Sequence, residues 1–148
     1  MTRTNAREIA CHLVYEMNMN QTSADTVYEL LTREGYYPSL KSESEVYAEK
    51  PDSKQLAYLS AVLHGVEEKR AELDGWIEKY AIGWSLNRIS RVARAIMEVA
   101  IYEGLYMDDV PVNAAISEAV ELTRNYEDED VVSFVNGVLG GFARELEA

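Results

Sequence analysis

The sequence predicts an all-α protein: a compact single domain over residues 1–148, built of six to seven helices and interrupted by a loop at 36–52. Three observations predict it. Apolar residues recur at intervals of three and four, and the alternation expected of strands is missing throughout. The three prolines, Pro38, Pro51 and Pro111, sit where helices should begin or end. Hydrophobic residues make up 47% of 148, enough for one domain with a core and too many for a disordered chain.

The elements follow in order. Asn5 with Glu8 has the spacing of a capping box, and Ile9, Leu13 and Met17, with Ala10 and Val14, make one apolar helical face. Ser23 is placed to cap a second helix carrying Val27, Leu30 and Leu31, which should stop at Gly35. Residues 36–52 are rich in serine, glutamate and proline and predict a loop, with a short helical piece from Glu43 to Ala48. A long helix should run from about Ser53. Leu56, Leu59, Leu63, Val66, Leu73, Ile77 and Tyr80 form its stripe, Arg70 is the polar exception, and Gly83 ends it. Asn87 is the expected cap of the next helix, whose face is Val92, Ile96, Val99 and Ala100. The chain turns at 107–111, and Pro111 suits a first helical position before Val112, Ile116, Ala119 and Val120. Four acids at 127–130 precede the last helix, where negative charge favours the N-terminus. That helix holds Phe134, Val135, Val138, Leu139, Phe142 and Leu146, yet also Gly137, Gly140 and Gly141. Each glycine costs roughly 1 kcal/mol against alanine in a helix. Close approach of a neighbouring helix is the expected compensation, for Gly137 above all.

The net charge of −12 argues against a generic nucleic-acid binder, because most of the surface repels phosphate. No run of eighteen apolar residues exists, so no transmembrane helix is expected, and no membrane is expected as a partner. Glu8, His12 and Glu16 interrupt the N-terminal apolar stretch, which makes a poor signal peptide. The lone Cys11 cannot form an internal disulfide, and together these features point to the cytoplasm.

Little in the chain suggests catalysis. His12 and His64 have no cysteine or histidine partner at metal-ligand spacing, so no metal is expected. Cys11 lies beside the apolar stripe of the first helix and reads as packing. Glu98, Glu103, Glu118 and Glu121 read as solvated helix faces, since no Glu-x-x-His pair accompanies them. Neither a phosphate-binding loop nor a nucleophile elbow is present, so the chain is expected to be no enzyme and to need no cofactor. Arg88, Arg91 and Arg94 form a row at i, i+3, i+6. An exposed face is favoured over a contact for an acidic partner.

Four blocks, "AREIACHLVY" (6–15), "WSLNRISRVARAIMEVAIYE" (84–103), "DVPVNAAISEAVELTRNY" (109–126) and "FVNGVL" (134–139), occur in an order that resembles the NusB family of bacterial transcription antitermination factors. The resemblance spans nearly the whole chain. It implies two small helical bundles packed together and no catalysis. It also implies binding of the boxA element of ribosomal RNA transcripts together with NusE, a small-subunit ribosomal protein that doubles as an elongation factor. RNA polymerase and other Nus factors would join indirectly. The implied RNA contacts are Arg3, Arg7, Tyr15, Asp130 and Phe134, with arginine forks on phosphate and aromatic rings on unpaired bases. The NusE surface is sought on the helix from Arg88 to Glu103, with Arg88 and Arg91 as its contacts. Some members dimerise through the RNA surface, so a homodimer is an alternative state.

The chain departs from the family pattern at several points. Its N-terminal "RTNARE" holds two arginines where family members often carry a dense run. Glu98 replaces a family arginine, Ser117 an asparagine and Gly140 an aspartate, and the 36–52 loop is longer than typical. Two other readings stand beside the adaptor. One is a protein-interaction module of the same fold that has lost its RNA role. The other is the N-terminal domain of a ribosomal RNA cytosine methyltransferase. It needs a longer chain than one ending at Ala148 and a glycine-rich cofactor loop that this chain lacks.

Overall fold

The computed structural model describes residues 2–33 and 50–147, and among them the chain forms six α-helices and no strand. They are α1 (Arg3–Asn20), α2 (Ala24–Thr32), α3 (Ser53–Tyr80), α4 (Arg91–Tyr106), α5 (Val112–Tyr126) and α6 (Glu129–Glu147), with a single 3-10 turn at Leu86–Arg88. Two compact units result, Met1–Glu67 and Glu68–Ala148, and the division falls within α3. The expected helical piece at 43–48 and the stop at Gly35 lie outside the described residues; α2 ends at Thr32.

In the first unit, α1 starts earlier than the Asn5–Glu8 spacing suggested. Thr2 is the cap, and its hydroxyl accepts from the Asn5 N–H at 3.1 Å. The expected face is present: Ala6, Ile9, Ala10, Leu13, Val14 and Met17 are buried, and Cys11 with them. Ser23 caps α2 as expected, accepting from Thr26 N–H at 3.1 Å. Glu67 on α3 adds a second anchor by accepting from Ala24 N–H at 2.7 Å, a charge-assisted bond to a helix N-terminus.

In the second unit, α4, α5 and α6 pack on one another around Ile96, Met97, Ile101, Leu139 and Phe142. Asn87 does not cap α4; it lies in the 3-10 turn, and Ser90 caps instead, accepting from Ala93 N–H at 3.2 Å. Pro111 is the cap of α5 rather than its first residue. The buried face of α5 is Ala115, Ala119, Leu122 and Thr123, rotated from the expected stripe, with Ile116 and Val120 half-buried at its edge.

Two carboxylates overturn the solvated-face reading. Glu98 and Glu103 are fully buried on α4. Arg94, one turn before Glu98, places its Nε 3.7 Å from that carboxylate and its NH2 group 2.6 Å from Asp74. Burial acts to lower the Arg94 pKa. The hydrogen bond to Asp74 and the charges of Asp74, Glu98 and Glu78 outweigh it and hold the guanidinium above its usual value. Arg94 is therefore a structural cation, not part of an exposed row.

The glycines of α6 separate into two kinds. A Cβ on Gly141 would stand 2.7 Å from Cε1 and Cγ of Tyr80, so this glycine does admit a neighbouring helix. Among the described residues nothing lies within 4 Å of the same position at Gly137, which contradicts the packing role expected of it. At Gly140 the one neighbour among the described residues is the flexible tip of Arg144 at 3.3 Å.

Candidate nucleic-acid interface

The second unit carries a groove where the segment after α3 meets the start of α6. α3 ends at Tyr80, and Gly83 takes φ +84, a left-handed conformation that glycine adopts without steric cost. The Trp84 N–H then bonds the Ala81 carbonyl at 3.0 Å. This turn leaves Ile82 87% exposed and Trp84 52% exposed. Ile89 is buried and anchors the segment after the 3-10 turn. Ser90 fastens the same segment to the chain before α6 by donating to Glu127 Oε1 at 2.5 Å.

On α6, Asp128 accepts from Val131 N–H at 3.1 Å and so caps the helix. Asp130 and Phe134 follow at i, i+4, one above the other on a single face. Trp84, Arg88, Ile89, Ser90, Asp130, Val131 and Phe134 line a groove of about 150 Å³ with mainly apolar walls. Its two rings meet edge to face, centroids 6.1 Å apart. The Arg88 guanidinium lies 5.9 Å from the Trp84 ring centre, within cation–π range.

In the first unit, Arg3 and Arg7 also stand at i, i+4, and Tyr15 lies about 12 Å further along α1. The Arg3 guanidinium sits 4.4 Å over the ring of Tyr58, itself buried. Arg7 is only 7% exposed, and Tyr15 is half-buried. Of the residues singled out in the sequence, Asp130 and Phe134 thus share one groove, and Arg88, assigned to a protein partner, lies in it with them. Arg91, the first residue of α4, is exposed. Sequence reasoning missed Trp84 as a candidate. Its signal was an aromatic residue next to a glycine between two helices, outside any apolar stripe.

A second cluster sets a histidine between a carboxylate and a serine. His64 Nε2 lies 2.6 Å from Asp25, and its Nδ1 lies 2.8 Å from the Ser60 carbonyl and 3.3 Å from the Ser60 hydroxyl. A carbonyl only accepts, so Nδ1 carries a proton, and Nε2 donates to the carboxylate. While it is protonated the ring has no lone pair to activate Ser60. The Asp25 hydrogen bond, then that of the Ser60 carbonyl, raises the His64 pKa above its ordinary value. His12 moves the other way, lowered by burial and only partly restored by the charge of Glu8. Among the described residues no group of three or more His, Cys, Asp or Glu converges as a metal site, and no helix is long and apolar enough to cross a membrane.

A family model described as the NusB family matches residues 4–144. The chain belongs to the NusB family. The transcription antitermination protein NusB of Acetivibrio thermocellus is 38% identical over 95% of this chain and 87% of its own length. That of Clostridium kluyveri is 37% identical over 98% and 97%. Among solved structures, T. maritima NusB is 28% identical, with a TM-score of 0.76 over 98% of this chain and 92% of that one. A complex of antitermination factors NusB and NusE with dsRNA includes a chain 19% identical at a TM-score of 0.75, covering 97% and 96%, which shows the shared fold. For a NusB-family chain, the groove is notable because its "FVNGVL" motif opens directly into it through Phe134.

Proposed function

We propose that this chain is a non-catalytic adaptor of transcription antitermination. It works in the cytoplasm and holds boxA-type RNA jointly with NusE, through which RNA polymerase and other Nus factors are engaged. The observation that carries the reading is the family match over residues 4–144. The groove that pairs Phe134 with Trp84 and Arg88 supports it, since unpaired bases stack on aromatic rings and phosphates pair with guanidinium. The net charge of −12 limits what the chain does alone. Each phosphate neutralised on single-stranded RNA contributes about 0.7 to the salt slope, so few contacts mean a shallow slope. NusE supplies the rest of the positive field.

The test is a titration of labelled boxA RNA against the protein alone and with NusE. Weak, weakly salt-dependent binding alone and firm binding with NusE is the expected result. RNA that is not retained even with NusE refutes the adaptor. One observation favours the protein-interaction reading: Arg7 is buried and Arg3 is laid on Tyr58, so neither projects freely. Under that reading NusE is captured and RNA is not.

A further inference from the structure

We propose that Trp84 and Arg88 form a nucleotide subsite in the second unit that takes one unpaired base and its phosphate. In this chain the leading phosphate contact then shifts from the N-terminal arginines to the 3-10 turn. The inference rests on the adaptor reading and extends it to residues that the "FVNGVL" motif does not include.

Four observations support it. First, the groove has the right size. A space of about 150 Å³ holds a benzene-sized ring, so one planar group fits between the walls. Second, Trp84 is half-exposed although it is large and apolar, and the turn at Gly83 holds it there. A half-exposed indole that meets a second ring edge to face offers a base a surface to stack on. Third, Arg88 belongs to the groove and is exposed. Arg3 rests on a buried ring, Arg7 is buried, Arg94 is tied to Asp74, and Arg124 is held by Glu121 and Glu129. Fourth, every nucleotide carries its phosphate beside its base. A guanidinium 5.9 Å from the ring centre is placed for that pairing, whereas an aromatic peptide side chain brings no anion.

The partner class is therefore single-stranded RNA, and a peptide segment of the protein partner is the competing occupant. The experiment uses the full chain with NusE and a labelled single-stranded boxA oligonucleotide, measured across a salt series. Trp84→Ala is expected to weaken RNA binding by about 5- to 150-fold, the loss typical of one stacked base, and Trp84→Phe to recover most of it. Arg88→Ala should lower the salt slope by about 0.7, and Arg3→Ala should leave it unchanged. Melting of each variant checks folding, and Arg88→Ala carries the test should Trp84→Ala misfold. RNA binding by Trp84→Ala equal to the unmutated protein overturns the subsite and leaves the adaptor standing. So does a Trp84→Ala protein that loses NusE, since the groove then holds peptide and any loss of RNA follows from that. A slope that falls with Arg3→Ala and not with Arg88→Ala overturns the shift of the phosphate contact. If the unmutated protein with NusE holds no RNA, the adaptor and the subsite fall together.

Discussion

The start of α1 and the turn before α4 each set an arginine over an aromatic ring, and the two pairs do opposite things. Arg3 lies 4.4 Å over Tyr58, whose ring is 4% exposed. Arg88 lies 5.9 Å from the ring of Trp84, a residue 52% exposed. In the first pair the guanidinium covers the edge of a core, and the ring is unavailable to anything else. In the second, both members face solvent at a groove. The difference teaches that arginine and aromatic residues at family positions specify chemistry only together with exposure.

Substitutions can break that comparison, and the largest effect is expected in the buried pair. Tyr58→Ala should lower unfolding stability by about 3–5 kcal/mol, the cost of removing a buried aromatic side chain. Trp84→Ala should stay within about 1 kcal/mol in the same urea titration. Equal losses would erase the distinction between the two sites. The glycines of α6 offer a second contrast, between a packed and an open position. Gly141→Ala drives a methyl group into the Tyr80 ring and should cost about 1–3 kcal/mol. Gly137→Ala meets nothing and should raise stability by up to about 1 kcal/mol through helix propensity. A Gly137→Ala protein that melts lower would contradict the open-space account. Smaller again, Arg7→Ala should lose about 1–2 kcal/mol through lost packing, against about 0.5 kcal/mol or less for Arg88→Ala.

The smallest effect is expected at His64. Its pKa is raised in the folded protein, so the Asp25–His64 pair contributes fully below the unfolded value of about 6.5. The contribution is lost as pH climbs through the raised value. Asp25 is 90% exposed, so screening keeps the contribution under about 1 kcal/mol. The His64 pair should lower the melting temperature slightly between pH 6 and pH 8, against the rise expected from the lowered pKa of His12, and Asp25→Asn should remove that fall. An unchanged slope in Asp25→Asn would assign the pH dependence to another group.

Much of the fold was legible because helical burial leaves a period in the sequence. The stripe from Leu56 to Tyr80 marks α3, and Ile9, Leu13 and Met17 mark α1. Caps were harder, since several polar residues near a helix start can reach an orphan N–H. Thr2 rather than Asn5 does so for α1, and Ser90 rather than Asn87 for α4, because Leu86–Arg88 closes a tight turn first. Buried charge left no periodic sign: Glu98 and Glu103 look solvated until Arg94 and the packing of α4 are seen. The groove was half legible. Phe134 and Asp130 lie in or beside a motif, but their neighbours Trp84 and Arg88 are some fifty residues away in sequence, and only the packed second unit brings them together.

The central claim is that this groove is where RNA meets the second unit. Trp84 and Trp76 are the only two tryptophans, and Trp76 packs against Phe142 with centroids 5.0 Å apart. Their indole N–H signals in a nitrogen-15 NMR spectrum, assigned with Trp84→Phe, report the groove and the core separately. Adding boxA RNA in the presence of unlabelled NusE should shift the Trp84 signal beyond any change that NusE alone produces and leave that of Trp76 in place. RNA that binds while the Trp84 signal stays where NusE alone left it would contradict the account.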